Sequence, residues 1–104
     1  MRILIVDDHA VVRRGLREIL VEEFPGAHVG EAASVAEAVG MTRAGRWDLV
    51  ILDLNLPGGS GLDALKEIKQ LQPRLPVLVL SIYPEDQYAV RVLEAGASGY
   101  LTKE

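Results

Sequence analysis

Apolar and polar positions alternate in blocks along this chain, and the period of the pattern changes from block to block. Residues 2–6 form an unbroken apolar run after Arg2 and predict a buried strand. Val12, Leu16, Ile19 and Leu20 recur at helical spacing and predict a helix over about residues 11–23, stopped by Pro25 and Gly26. Residues 28–33 mix polar and apolar positions, as an edge strand does. Ser34 and Glu37 have the spacing of a capping box and open a second helix that Gly45 ends. Residues 48–52 predict a central strand, and the stretch from Asn55 to Gly61 is a loop rich in turn formers. Leu62, Leu65, Ile68 and Leu71 mark the inner face of a third helix closed before Pro73. Residues 76–80 predict a fourth strand. Pro84 suits the first turn of a fourth helix with Ala89, Val92 and Leu93 inward and Gly96 as its stop, and residues 99–101 a short fifth strand.

Strands alternating with helices through short connections imply right-handed crossovers and a parallel sheet. The second strand is the most polar and belongs at an edge. The first and third are the most apolar and belong side by side at the centre. The expected class is therefore α/β, an open parallel five-stranded sheet of order 2-1-3-4-5 with helices on both faces, the flavodoxin-like arrangement.

That order gives the acids their meaning. Asp7 and Asp8 follow the first strand and Asp53 follows the third, so all three reach the carboxyl edge of the sheet, where open α/β sheets bind ligands. Two carboxylates about 5 Å apart repel by roughly 3 kcal/mol at an effective dielectric of 20. A hard cation with oxygen ligands, Mg²⁺ above all, relieves that repulsion. Ser81 ends the fourth strand and Lys103 follows the fifth, so both join the same edge. Acids, a cation, a lysine and a hydroxyl together suit phosphoryl transfer. An aspartate is the candidate nucleophile, because Ser81 has no base beside it in sequence and cysteine is absent. Asp53 is chosen because the central strand delivers it to the middle of the cleft. His9 reads as a loop or cap residue, Arg13 and Arg14 as a solvated helix face, and Trp47 as packing at the amino end of its strand.

Composition narrows the picture. The chain has 104 residues, 49% of them hydrophobic and 25% charged, which suits one globular domain. No apolar run reaches membrane-spanning length and the start lacks a secretory pattern, so no membrane partner is expected and the cytoplasm is the expected compartment. A net charge of −4 argues against direct grip on nucleic acid.

The set Asp7, Asp8, Asp53 to Gly61, Ser81, Tyr100 and Lys103 resembles the response-regulator receiver domain of two-component signalling over the whole chain. The stretch from Pro84 to Glu104 is similar to regulators of the nitrate-response and LuxR type, which end in a helix-turn-helix domain. The resemblance implies a signalling domain rather than a turnover enzyme. Asp53 accepts phosphate from a histidine kinase, Asp8 and Asp53 bind Mg²⁺ directly and Asp7 through water, and the main-chain carbonyl of Asn55 adds a ligand. Lys103 contacts the acyl phosphate, Ser81 moves to bond it and Tyr100 swings inward behind Ser81. Asn55 and Tyr83 tune hydrolysis, and Ile82, bulkier than is usual after such a serine, is expected to slow access. DNA is expected as a partner only through an effector domain outside this chain. The resemblance further implies a receiver spanning residues 1–104 that stops before a fifth helix. That leaves an apolar patch on one face and self-association as a homodimer. The rival readings are an aspartate-based phosphatase or phosphotransferase, which usually carries a second acid where this chain has Asn55; a flavin or nucleotide module, which wants glycines rather than acids after strand one; and a receiver-like interaction domain independent of phosphorylation.

Overall fold

The computed structural model describes residues 1–56, 61–81 and 85–102, without side chains for 85–88. In chain order the elements are β1 (Arg2–Val6), α1 (Ala10–Glu23), β2 (His28–Ala32), α2 (Val35–Ala44), β3 (Leu49–Asp53), α3 (Gly61–Leu71), β4 (Val77–Ser81), α4 (Glu85–Glu94) and β5 (Gly99–Thr102). The strands pair in parallel in the order β2-β1-β3-β4-β5, as the apolar ranking of the strands implies.

Side-chain alternation along each strand divides the interior in two. Leu4, Val6, Val50, Leu52, Val77, Val79 and Tyr100 point into the larger cluster, which Ala38 of α2, Ala64, Leu65 and Ile68 of α3, and Val92 of α4 complete. Ile3, Ile5, Val29 and Ile51 point to the other face, where Leu20 of α1 closes a smaller cluster. Among the described residues α1 is the one helix there, and it packs over β1 and β2. The β3–β4–β5 half of that face carries half-buried Leu49, Leu78 and Leu80 and the 50% exposed Leu101.

Helical spacing overstated the buried face at three positions. Ile19, Leu71 and Leu93 were expected inside and are 57%, 37% and 49% exposed. Consecutive helical residues are about 100° apart, so Val92 and Leu93 cannot both point at one sheet, and Val92 takes the inner place. Ile19 stands one position before the buried Leu20 and turns out for the same reason. Pro84, expected in the first turn of α4, lies outside the described residues.

The ends of the helices follow local chemistry. Gly96 takes φ +109°, the left-handed turn that stops α4 after its last residues. Ser34 caps α2 by accepting from the Glu37 N–H at 3.2 Å, and the Glu37 carboxylate accepts from the Ala33 N–H at 2.7 Å, one residue earlier than the usual reciprocal bond. Ser34→Ala should lower unfolding free energy by about 1 kcal/mol in a denaturant titration. Trp47 packs as expected at the amino end of the sheet, stacked on His28, beneath Arg2 and donating from Nε1 to the Met41 carbonyl at 3.0 Å.

Candidate functional site

β1 and β3 are adjacent central strands, in register from Ile3 opposite Leu49 to Val6 opposite Leu52. Their carboxyl ends therefore bring Asp7 and Asp53 side by side. Asp53 was expected just past its strand; instead it is the last residue of β3, opposite Leu80. The ladder runs on because the Leu54 N–H bonds the Leu80 carbonyl at 2.9 Å. Ser81 is the last residue of β4, the strand end at which the sequence places it.

Asp7, Asp8, His9 and Asp53 each offer a ligand atom, and those atoms all lie within 4.8 Å of one another. Asp7 and Asp53 are each 1% exposed, whereas Asp8 and His9 are at the surface. Both buried carboxylates are aimed by the backbone that follows them. The His9 N–H donates to Asp7 Oδ1 and the Asn55 N–H to Asp53 Oδ1, each at 2.9 Å. The His9 ring nitrogen Nδ1 is 3.1 Å from Asp7 Oδ1 and 3.1 Å from Asp8 Oδ1. His9 does sit at the N-cap of α1, but its side chain makes no capping bond.

Ser81 is fully buried at the end of β4, beside Asp53's strand at the same edge. Tyr100 is 8% exposed and packs in the larger cluster, so its ring already lies inward here. Lys103, Ile82 and Tyr83 lie outside the described residues. Thr102, opposite Ser81, ends β5 immediately before Lys103.

One contact at the site was not foreseen. Arg13, read from the sequence as part of a solvated face, is only 18% exposed. It donates from Nη1 to the main-chain carbonyl of Asp7 at 2.6 Å and from Nε to Glu31 Oε1 at 2.9 Å. Arg17 Nη1 holds the other Glu31 oxygen at 2.9 Å. The clamp ties α1 and β2 to the turn that carries the acid pair. The Arg17 hydrogen bond, reinforced by Arg13, lowers the Glu31 pKa below its ordinary 4.5, against the opposing effect of burial. A folded-state pKa below the unfolded one stabilises the fold above about pH 4.5 and loses that contribution as pH falls through the lowered value. Partial exposure keeps the effect under about 1 kcal/mol. Glu31→Gln should therefore flatten this part of the acid limb of a stability–pH curve measured by urea denaturation.

The donor set suits a hard divalent cation. It offers three carboxylates, and two residues after Asp53 the side-chain oxygen Oδ1 of Asn55 is buried without a hydrogen-bond partner among the described residues.

The sequence pattern of the response regulator receiver domain matches residues 3–104. The chain belongs to the receiver domain family of two-component response regulators. This receiver domain is 40% identical over 104 residues to the DNA-binding transcriptional activator DevR/DosR of Mycobacterium tuberculosis, covering 100% of this chain and 48% of that protein. It thus spans about half the length of that curated relative. Among solved structures it resembles the response regulator TrrA of Thermotoga maritima in complex with Mg²⁺-BeF, with TM-score 0.86, 34% identity, and coverage of 99% of this chain and 86% of that one. It also resembles a response regulator of Burkholderia pseudomallei with a phosphorylated aspartic acid, calcium ion and citrate, with TM-score 0.90, 31% identity, and coverage of 98% and 59%. No helix among the described residues of this receiver domain is long and apolar enough to cross a membrane.

Proposed function

We propose that this receiver domain, in the cytoplasm, takes a phosphoryl group from a phosphohistidine of a histidine kinase onto Asp53. The observation that carries the reading is the meeting of Asp7, Asp8 and Asp53 at the carboxyl edge of the two central strands. A carboxylate oxygen of Asp53 forms the new O–P bond as the N–P bond of the donor breaks, and the departing imidazole nitrogen keeps the electron pair. Asp7, Asp8 and Asp53, with the main-chain carbonyl of Asn55, would hold Mg²⁺, which when bound neutralises charge on the transferring phosphoryl oxygens. The Asn55 N–H fixes one oxygen of Asp53 and so sets which way the carboxylate faces. Burial of Asp53 excludes bulk water from one side of the attacking group.

After transfer, Ser81 donates its hydroxyl hydrogen to a phosphoryl oxygen, and Lys103 pairs with another. Tyr100 packs behind Ser81 in the phosphorylated form. Asn55, Ile82 and Tyr83 set how fast water reaches the acyl phosphate. Output is a population shift of the α4–β5 surface, and complete switching from 1:99 to 99:1 requires about 5.5 kcal/mol of differential stabilisation. The recipient of that shift is a DNA-binding effector domain. Self-association through the apolar β3–β4–β5 half-face belongs to the same reading, and a monomer in concentrated light scattering would remove it.

Beryllofluoride, a phosphoryl mimic, tests the site directly. Bound fluoride signals in ¹⁹F NMR should appear at one equivalent per chain with Mg²⁺ and vanish with EDTA. No bound signal at saturating Mg²⁺ would overturn the proposal.

A further inference from the structure

We infer that His9 supplies an imidazole nitrogen to the divalent ion of this cleft, making a mixed nitrogen–oxygen site that favours borderline ions such as Mn²⁺, Co²⁺ or Zn²⁺ more than the carboxylates alone would. The inference rests on the acid cluster being a cation site, as proposed above.

The geometry is that of neighbouring ligands. For metal–ligand bonds of about 2.1 Å, two adjacent ligand atoms of an octahedron are separated by about 3.0 Å. His9 Nδ1 stands 3.1 Å from Asp7 Oδ1 and 3.1 Å from Asp8 Oδ1, and Asp53 brings its oxygen within the same 4.8 Å group. A ring nitrogen carries at most one hydrogen, so as a donor it satisfies one of these two carboxylates well. As a ligand it shares one ion with both.

His9 is also held for this role. Its N–H bonds Asp7 Oδ1, and its carbonyl accepts the first turn of α1 from the Arg13 N–H at 3.0 Å. The backbone is fixed at both sides while the ring, 64% exposed, keeps room to rotate onto an ion. It makes no capping bond to the helix, so a ligand would not have to break one. Imidazole strengthens binding along the series from Mn²⁺ to Cu²⁺ and suits Zn²⁺, whereas Mg²⁺ favours oxygen.

Calorimetric titrations of Mg²⁺, Mn²⁺ and Co²⁺ into the wild-type chain and His9→Ala test this, with His28→Ala as the control. His28 is the one other histidine and stands at the far, amino edge of the sheet. The expected result is that His9→Ala raises the Co²⁺ Kd about tenfold or more and the Mg²⁺ Kd by less than about threefold. Mn²⁺ should also broaden the His9 ring signals in NMR spectra of the wild type before those of His28. Equal weakening of all three ions, no change in any, or a Co²⁺ effect of the same size in His28→Ala overturns the inference. In those cases Mg²⁺ binding by the wild type leaves the Asp53 reading standing; a wild-type chain that binds no divalent ion overturns both.

Discussion

Asp53→Asn should abolish acyl-phosphate formation, lowering labelling from a phosphorylated histidine kinase or from acetyl phosphate below about one hundredth of wild type. The amide is nearly isosteric and keeps an oxygen to accept the Asn55 N–H, which the carboxylate accepts at 2.9 Å. What it lacks is a nucleophilic carboxylate. The substitution also takes one negative charge from a group whose ligand atoms lie within 4.8 Å. Relief of one carboxylate repulsion over about 5 Å is worth up to roughly 3 kcal/mol at an effective dielectric of 20. Asp53→Asn should therefore melt no lower than wild type, so lost labelling cannot be laid to unfolding. Retained labelling, with Asp8 as the modified residue in peptide mass spectra, would move the acceptor and sink the assignment.

The sequence made the convergence of these acids legible because it depends on strand order, and strand order depends on how apolar each strand is. Val6 and Leu52 are buried on both flanks of a central pair, while β2 carries Glu31 and an exposed His28 at an edge. What stayed hidden were contacts between polar groups far apart in the chain. Arg13 and Glu31 are 18 residues apart, and hydrophobic period says nothing of where a guanidinium folds back. A signal was present all the same. Glu31 shares strand parity with the buried Val29, which turns it under α1, and Arg13 and Arg17 are spaced one helical turn apart above it. His9 stands at the N-cap of α1 as a histidine before a helix does, and an Asx-type turn also brings its ring to the carboxylates, which no hydrophobic period signals. The residues that follow the same edge from β4 and β5 divide in the same manner. Ser81 is placed by sheet register, whereas Lys103 lies outside the described residues.

Gly61→Ala should cost about 1–3 kcal/mol of stability, because this position begins α3 against the backbone of the functional loop. A Cβ there would overlap the carbonyl oxygen, carbonyl carbon and Cα of Leu54 at less than van der Waals separation. None of those atoms can swing aside as a side chain would. Leu54 is pinned in turn, since its N–H bonds the Leu80 carbonyl at 2.9 Å. The strain therefore falls either on the start of α3 or on the segment joining Asp53 to Asn55, and the second choice displaces the acceptor. Gly40→Ala provides the contrast. Gly40 is exposed within α2, a methyl group added there would meet nothing within 4 Å, and alanine should stabilise by about 0.5–1 kcal/mol. Urea denaturation reads both changes. At a temperature where both variants are fully folded, Gly61→Ala should also bind Mg²⁺ more weakly and accept phosphate more slowly, while Gly40→Ala matches wild type in both. A Gly61→Ala protein as stable and as readily labelled as wild type would show that the β3–α3 junction has slack that these contacts do not allow.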